Sequence, residues 1–415
     1  MILSLVGLRI HVKYFLPIPS ARPIVLLIME IKIGVVLIVS TMAAVGQTLN
    51  PIDAMNNPSK HAWDLFVMLS QPALDPQKSG RGIPDSSKRI GDNGMTVWET
   101  WKYGGEVFLK NGSRPPNWDD LSTPGSPIRP KVFDVPKSML IEAIHRGMSI
   151  EDAMNPMKLL DVERDGVFTK GGGETRMNKA TFDFILDNKL YNIEGQEQLF
   201  TKVSSGMQKP LSFPTNSIEI KAMWIPLSAD DLKPGGKGAH FHQAKDANNV
   251  TYGLVALHII TKEVPNWFWC TFRQTEGPAP QIPSVDTFGR PSALNGTKWA
   301  FYELSGTQTD FVNSIGRSEL LSDPHIEAGF ERSSCISCHA LSSIGAPGNL
   351  PFGDRLAFVN LPSLPPQGTN DLGDLGTPIG SPRSSMFIDL SGKQKYIQLD
   401  FVFSLHFRAR RATAP

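Results

Sequence analysis

The chain has 415 residues, of which 40% are hydrophobic, and its 41 basic and 40 acidic residues leave a formal net charge of +1. This near-neutral balance argues against nucleic acid as a partner, because binding to a phosphate backbone requires an excess of positive charge. It also leaves no global field that would steer a redox partner, so any docking patch must be local.

The N-terminal segment has the features of an export signal. Lys32 precedes a short apolar run, and Ala44-Val45-Gly46 places small residues at the −3 and −1 positions of a cleavage site. We therefore expect residues 1–46 to be a leader, with the mature chain beginning near Gln47 and Met29 as an alternative start. The apolar run is shorter than the roughly 20 residues that span a bilayer, so cleavage is preferred to a retained anchor. No later segment is apolar enough to cross a membrane.

Helical periodicity follows the leader. Ser59 is predicted to cap a helix whose apolar face includes Phe66, and further helices are predicted from Pro136 to Gly147 and from Asn178 to Leu190. Between the last two, Lys170-Gly171-Gly172-Gly173 lacks the spacing of a phosphate-binding loop, so a turn is expected there.

The middle of the chain contains short segments that are rich in β-branched and aromatic residues and bounded by Gly, Pro or Asn, as strands are. The predicted strands are residues 218–227, 252–261, 266–273 and 298–304. Residues 396–407 fit either a strand or a helix, because their apolar positions satisfy both periodicities.

Cys335-Ile336-Ser337-Cys338-His339 spell C-x-x-C-H, the attachment motif of a c-type haem. Two thiols at this spacing can add to the two vinyl groups of one haem, and the next histidine is delivered to the iron as an axial ligand. The sequence therefore predicts one covalent haem c, attached at Cys335 and Cys338, with His339 on the iron.

Three other interpretations of the motif are weaker. A zinc site would need two more ligands, normally a second cysteine or histidine pair, and only Cys270 remains among the cysteines. A thioredoxin-type dithiol is expected after a strand of a βαβ unit, which the residues around the motif do not suggest. A structural disulfide across two residues would constrain the unfolded chain little.

These elements predict an α+β fold. We expect a strand-rich antiparallel sheet or sandwich with peripheral helices in residues 47–295. A small, loop-rich haem-binding region is expected in residues 296–415, where proline and glycine follow the motif.

The second axial ligand decides the chemistry of the iron. A methionine or histidine closes the iron and favours electron transfer, whereas an open position admits small ligands or peroxide. Met386 is the only methionine after the motif and is the candidate ligand, within a loop that could fold back over the haem. The alternative is that Met386 fills a gap in the core.

The other histidines and the third cysteine are weaker candidates. His240 and His242 could bind haem or a separate metal, although a solvated loop is preferred. His258 is expected to be a core residue and His61 a surface residue. His325 and His406 are further, weaker ligand candidates. Cys270, among aromatic residues, is expected to be a buried and inert thiol.

Three longer phrases, taken with the motif, resemble a group of largely uncharacterised bacterial exported proteins of the cytochrome c family. The phrases are YGLVALHIITKEVPNWFWCTF (252–272), KWAFYELSGTQTDFVNSIGR (298–317) and SCISCHA (334–340). The resemblance extends over residues 60–410 and implies export and a bound haem, but it supplies no catalytic residues. The chain departs from the compact class I cytochromes, because a long segment precedes the motif.

Two classes of function follow from these observations. The preferred one is a periplasmic electron-transfer cytochrome with a redox partner protein. The alternative is a haem-dependent oxidoreductase or peroxidase with an open axial site, which the length of the chain favours. The absence of an evident acid–base constellation in the sequence favours the first. A haem-based redox sensor is a third possibility.

Overall fold

One antiparallel sheet organises the residues that the structure describes. The structure is a computed structural model that describes residues 50–121, 172–246, 249–277, 284–317, 319–323, 334–349, 356–357 and 380–412. All of these residues belong to one compact unit, Gly46–Pro415. The predicted leader, the predicted helix over residues 136–147 and His325 lie outside the described residues.

The strands in the described part of the chain are β1 (Lys102–Tyr103), β2 (Gly172–Met177), β3 (Ile218–Pro226), β4 (Gln243–Lys245), β5 (Thr251–Thr261), β6 (Phe268–Gln274), β7 (Tyr302–Gln308), β8 (Ser343–Gly345) and β9 (Tyr396–Gln398). Seven of them form one sheet in the order β1-β2-β3-β5-β6-β7, with β4 paired to β5. Its pairings are antiparallel, and β8 and β9 form a separate antiparallel pair. The predicted α+β class with a strand-rich antiparallel sheet is therefore confirmed.

The helices in the same residues are α1 (Pro51–Asn56), α2 (Pro58–Leu69), α3 (Pro76–Ser79), α4 (Gly104–Val107), α5 (Lys179–Asp187), α6 (Ile193–Ser204), α7 (Cys335–His339) and α8 (Phe403–Arg408). The helix predicted from Asn178 to Leu190 is α5, and Asn178 is its N-cap, because its side chain accepts a hydrogen bond from Thr181 N at 3.1 Å. The cap of α2 is Asn57, so the prediction that Ser59 caps this helix was wrong. No helix in the described residues is long and apolar enough to cross a membrane.

The strand predictions hold for β3, β5 and β6 and are shifted for β7. Residues Lys298–Phe301 form a 3₁₀ turn, and the strand begins only at Tyr302. This strand follows the predicted domain boundary at residue 295 and pairs with β6, so the sheet continues across that boundary. Residues 396–407 contain both structures that their periodicity allowed, since β9 is followed by α8.

The glycine cluster before residue 174 is not only a turn, as was expected, because Gly172 and Gly173 open strand β2. A Cβ atom on Gly173 would lie 2.6 Å from Met223 Sδ on the neighbouring strand β3. A glycine at this position therefore permits the close approach of the two strands.

The two faces of the sheet carry different partners. On β6, Phe272 faces α2, where its ring lies 5.0 Å from that of Trp63 and 4.4 Å from that of Phe66. Because side chains alternate along a strand, Trp269 and Thr271 lie on the opposite face. We call this second face the motif face, because Trp269 contacts His339 of α7, with 4.7 Å between the ring centroids.

Candidate functional site

The C-x-x-C-H residues form the short helix α7. The Ser334 side chain caps it by accepting a hydrogen bond from Ser337 N at 3.3 Å, and Cys338 N donates to the Ser334 carbonyl at 3.0 Å. Residues three positions apart lie on the same side of a helix, so Cys335 and Cys338 share one side of α7. No disulfide joins them in the structure.

The end of strand β7 fixes the position of α7. Gln308 Nε2 donates to Ser334 Oγ at 3.2 Å, and Gln308 Oε1 accepts from Ile336 N at 3.3 Å. A parallel bridge joins Leu321 to Ser334, and the Cys335 thiol donates to the Leu321 carbonyl at 3.0 Å. The two thiols are therefore held on a rigid element next to the sheet.

The hydrogen bond of His339 determines its tautomer. Nδ1 lies 2.8 Å from the backbone carbonyl oxygen of Phe401. A carbonyl can only accept, so Nδ1 must carry the proton and donate. In this neutral tautomer Nε2 is the acceptor nitrogen, the atom that binds a metal ion.

Two aromatic side chains fix the orientation of the His339 ring. The Trp269 ring lies 4.7 Å away at an interplanar angle of 58°, and the Phe403 ring packs edge-on at 5.1 Å. Trp269 is fixed in turn by a hydrogen bond from its Nε1 to the Asn266 carbonyl at 2.8 Å. The imidazole is therefore held by packing as well as by the bond to Phe401.

Met386 lies in a 3₁₀ turn, Ser384–Met386, and is half-buried. It packs with a small apolar cluster that contains Leu341, Phe387 and Phe403. Phe403 packs against the same cluster and also contacts the ring of His339, the predicted axial ligand. The role of Met386 as the second iron ligand stays a prediction.

Two histidines that were expected to be solvated are buried and paired with glutamate. His61 is 6% exposed, and its Nε2 lies 2.6 Å from Glu263 Oε1. His242 is 1% exposed, and its Nε2 lies 2.8 Å from Glu99 Oε2. The surface and solvated-loop interpretations of these two residues were wrong, because their carboxylate partners lie far away in the sequence.

The remaining side chains fall closer to expectation. His240 stays partly exposed, with its Nδ1 2.8 Å from Glu276 Oε2. Cys270 is buried as predicted, and burial raises the pKa of its thiol well above the ordinary value. His406 lies on α8 and is 1% exposed.

A polar row on the motif face was not predicted, although His258 was expected in the core and is 8% exposed. His258 is paired across the strands with the buried Thr271 on one side and the half-buried Lys221 on the other. Glu219 lies on the same face of β3 as Lys221, two residues away. Burial raises the pKa of Glu219 to about 8, while the nearby Ser404 hydroxyl opposes part of the rise. The alternation of Glu219 and Lys221 with isoleucine was the sequence signal for this row.

The residues of α7 fit a covalent haem. Two thiols share one side of a capped helical turn, and His339 presents Nε2 as its acceptor nitrogen, because Nδ1 is bonded to a carbonyl. Among the residues that the structure describes, no group of three or more His, Cys, Asp or Glu side chains is placed to hold a metal ion.

Comparisons of the chain with protein-family models, with curated proteins and with solved structures give no match.

Proposed function

We propose that this protein is an exported c-type cytochrome with one covalently bound haem, attached at Cys335 and Cys338 and coordinated by His339. The observation that carries the proposal is the 2.8 Å hydrogen bond between His339 Nδ1 and the Phe401 carbonyl. It leaves Nε2 as the metal-binding nitrogen directly after two thiols that share one helical side. When bound, haem c supplies a one-electron ferric/ferrous couple.

The thiols of Cys335 and Cys338 would attach the group by addition. Each sulfur would bond to one carbon of a vinyl group and the thiol hydrogen would go to the other carbon, so no atom is lost and no separate oxidant is needed. The buried Cys335 is held at the sheet edge through Leu321, and the half-exposed Cys338 lies on the same helix, whose N-terminal end is bonded to Gln308.

The side chains around His339 would set the potential of the couple. Trp269 and Phe403 place apolar rings on the imidazole and reduce its contact with water. The hydrogen bond to Phe401 increases the basicity of the imidazole, which favours the ferric state. The protein therefore acts by orienting and tuning the ligand.

Export and a redox partner belong to the same proposal. Haem attachment of this kind takes place outside the bacterial cytoplasm, and the segment before Gln47 has the features of a cleaved signal. A one-electron carrier needs a donor and an acceptor, and the net charge of +1 implies that either would recognise a local surface.

Purification of the full chain from a periplasmic fraction tests the proposal. The denatured wild-type protein should keep haem-linked peroxidase staining on a gel, and its mass should exceed that of the mature chain by one haem. N-terminal sequencing should begin near Gln47. Loss of the stain on denaturation, or a retained Met1, would count against a covalent, exported cytochrome.

A haem oxidoreductase or peroxidase with an open iron is the second candidate. The observation in its favour is the row of Thr271, His258 and the half-buried Lys221, with the buried Glu219 beside it, on the face that also contacts His339. An electron carrier does not require such titratable groups. Rapid binding of carbon monoxide by the ferrous wild-type protein would favour this function over electron transfer.

Replacing Met386 by alanine separates the two candidates further. If Met386 closes the iron, Met386→Ala should lower the midpoint potential and allow carbon monoxide to bind, because thioether ligation stabilises ferrous iron. Absorption spectra with and without carbon monoxide, together with a redox titration, measure both effects. The control is Met207→Ala, since Met207 is 72% exposed. Unchanged spectra in Met386→Ala would exclude Met386 as the ligand, and His258 and His406 would be the next residues to replace.

A further inference from the structure

The turn that supplies the carbonyl bonded to His339 has an uncommon backbone. Asp400 and Phe401 have φ values of 47° and 70°, and Val402 N donates to the Leu399 carbonyl at 3.0 Å. Positive φ at both central residues is typical of type I′ turns, which favour glycine, asparagine and aspartate. A phenylalanine there is an outlier, and such strain persists only where the surroundings fix it.

Two hydrogen bonds to the Asp400 carboxylate fix this turn. Oδ1 accepts from Lys262 Nζ at 2.7 Å, and Oδ2 accepts from Phe213 N at 2.7 Å. Side-chain exposure is 7% for both Lys262 and Asp400, so the ion pair is buried. A buried pair with several satisfied bonds restricts the conformation of the segments that it joins.

Lys262 is itself held by the connection between β5 and β6. Its backbone N donates to the Ser217 carbonyl at 3.0 Å, and its Nζ donates to the Pro265 carbonyl at 2.7 Å. The ammonium also lies 5.7 Å from the centroid of the Trp267 ring. The Lys262 ammonium is therefore anchored by the β5–β6 connection, whereas the Asp400 carboxylate belongs to the turn.

Phe401 connects the turn to the candidate site through its backbone carbonyl and through its ring. Its carbonyl accepts from His339 Nδ1, and its ring packs against Trp269 at 6.2 Å and Phe311 at 6.2 Å. Trp269 also contacts the His339 ring. Any relaxation of the 400–401 backbone would therefore move the acceptor away from the imidazole.

We propose that the Lys262–Asp400 pair is a positioning device, which holds the strained turn so that the Phe401 carbonyl bonds to His339 and lowers the reduction potential of the haem. The inference rests on the proposed function, because the potential belongs to the bound haem. Its physical basis is that a second-shell acceptor on the imidazole increases ligand basicity and favours ferric iron.

The test is the double variant Lys262→Met/Asp400→Gly in the full-length protein with its haem. Glycine accepts positive φ without strain, and removing both partners leaves no unpaired buried charge and no change in net charge. The midpoint potential should rise by about 59 mV, which for a one-electron couple corresponds to a tenfold change in the ferric-to-ferrous ratio. Covalent haem content should stay at the wild-type level, and the ferric electron paramagnetic resonance spectrum should change with the loosened imidazole.

A second variant provides the test if the first one does not accumulate as folded protein. Lys262→Met/Asp400→Asn is also neutral in net charge, keeps a residue suited to positive φ and retains an acceptor for Phe213 N. A smaller rise in potential is expected, because one of the two anchors remains. The matched control is Lys233→Met/Asp230→Gly, which removes an exposed pair with a 2.6 Å separation and should leave the potential unchanged.

The outcomes distinguish this inference from the proposed function. Full covalent haem with a wild-type potential in both Lys262/Asp400 double variants would overturn the positioning role and leave the cytochrome proposal intact. A wild-type protein without haem would overturn the proposed function, and the positioning role would fall with it.

Discussion

Replacing both Cys335 and Cys338 by serine is expected to abolish covalent haem attachment. A serine hydroxyl does not form the thioether, while its small size allows the hydrogen bond to the Leu321 carbonyl, now made by the Cys335 thiol, to be kept. Helix α7 should therefore persist while its chemistry is lost. Each single variant should keep one bond to the haem and bind it less stably. Haem staining of denaturing gels and intact mass measure the result.

Cys270→Ala is the control for the loss of a thiol. Cys270 is 1% exposed, and burial raises the pKa of its thiol well above the ordinary value, so the thiol stays protonated and unreactive. This variant should retain full staining. Persistent staining in the double serine variant, or loss of staining in Cys270→Ala, would contradict the assignment of the attachment site.

The second large effect is expected from Arg176→Met in strand β2. Arg176 and Glu174 form a fully buried ion pair at 2.9 Å, and Arg176 also donates to the Trp101 carbonyl at 3.1 Å. Removing one partner of a buried pair leaves an uncompensated charge and costs about 3–5 kcal/mol. The free energy of unfolding, measured by denaturant titration, should fall by this amount. Lys179→Met is the matched control, because its pair with Asp183 is exposed and should contribute less than about 1 kcal/mol.

The cost of Arg176→Met should increase with pH. Burial already raises the pKa of Glu174 above its usual value of 4.5, and Arg176 opposes that rise. Without Arg176 the folded protein holds the Glu174 proton more tightly, whereas the unfolded chain releases it above about pH 4.5. As the pH rises above about 4.5, the free energy of unfolding of the variant should therefore fall further below that of the wild type. The difference between the two proteins should be larger at pH 8 than at pH 5. An equal deficit at the two values would show that Glu174 is not responsible.

The sequence alone determined three of the long strands, the class of fold and the residues of the motif. The β-branched and aromatic content of β3, β5 and β6 is a local property, so these strands could be found within their own residues. They are buried along most of their length and do not alternate with exposed positions. The spacing of Cys335, Cys338 and His339 is equally local, and it is sufficient to predict the covalent chemistry. A strand such as β7 was misplaced because the preceding 3₁₀ turn has the same aromatic composition as a strand.

The tertiary structure decided everything that depends on partners distant in the sequence. The acceptor for His339 comes from Phe401, 62 residues later, and the carboxylates that pair with His61 and His242 are 202 and 143 residues away. No local pattern encodes these contacts, because a β-sheet brings together side chains according to strand order and register. The motif therefore gave the residues that are proposed to bind a haem, whereas the sheet and the strained turn, with its Lys262–Asp400 pair, determined how His339 is oriented and which of its nitrogens carries the proton.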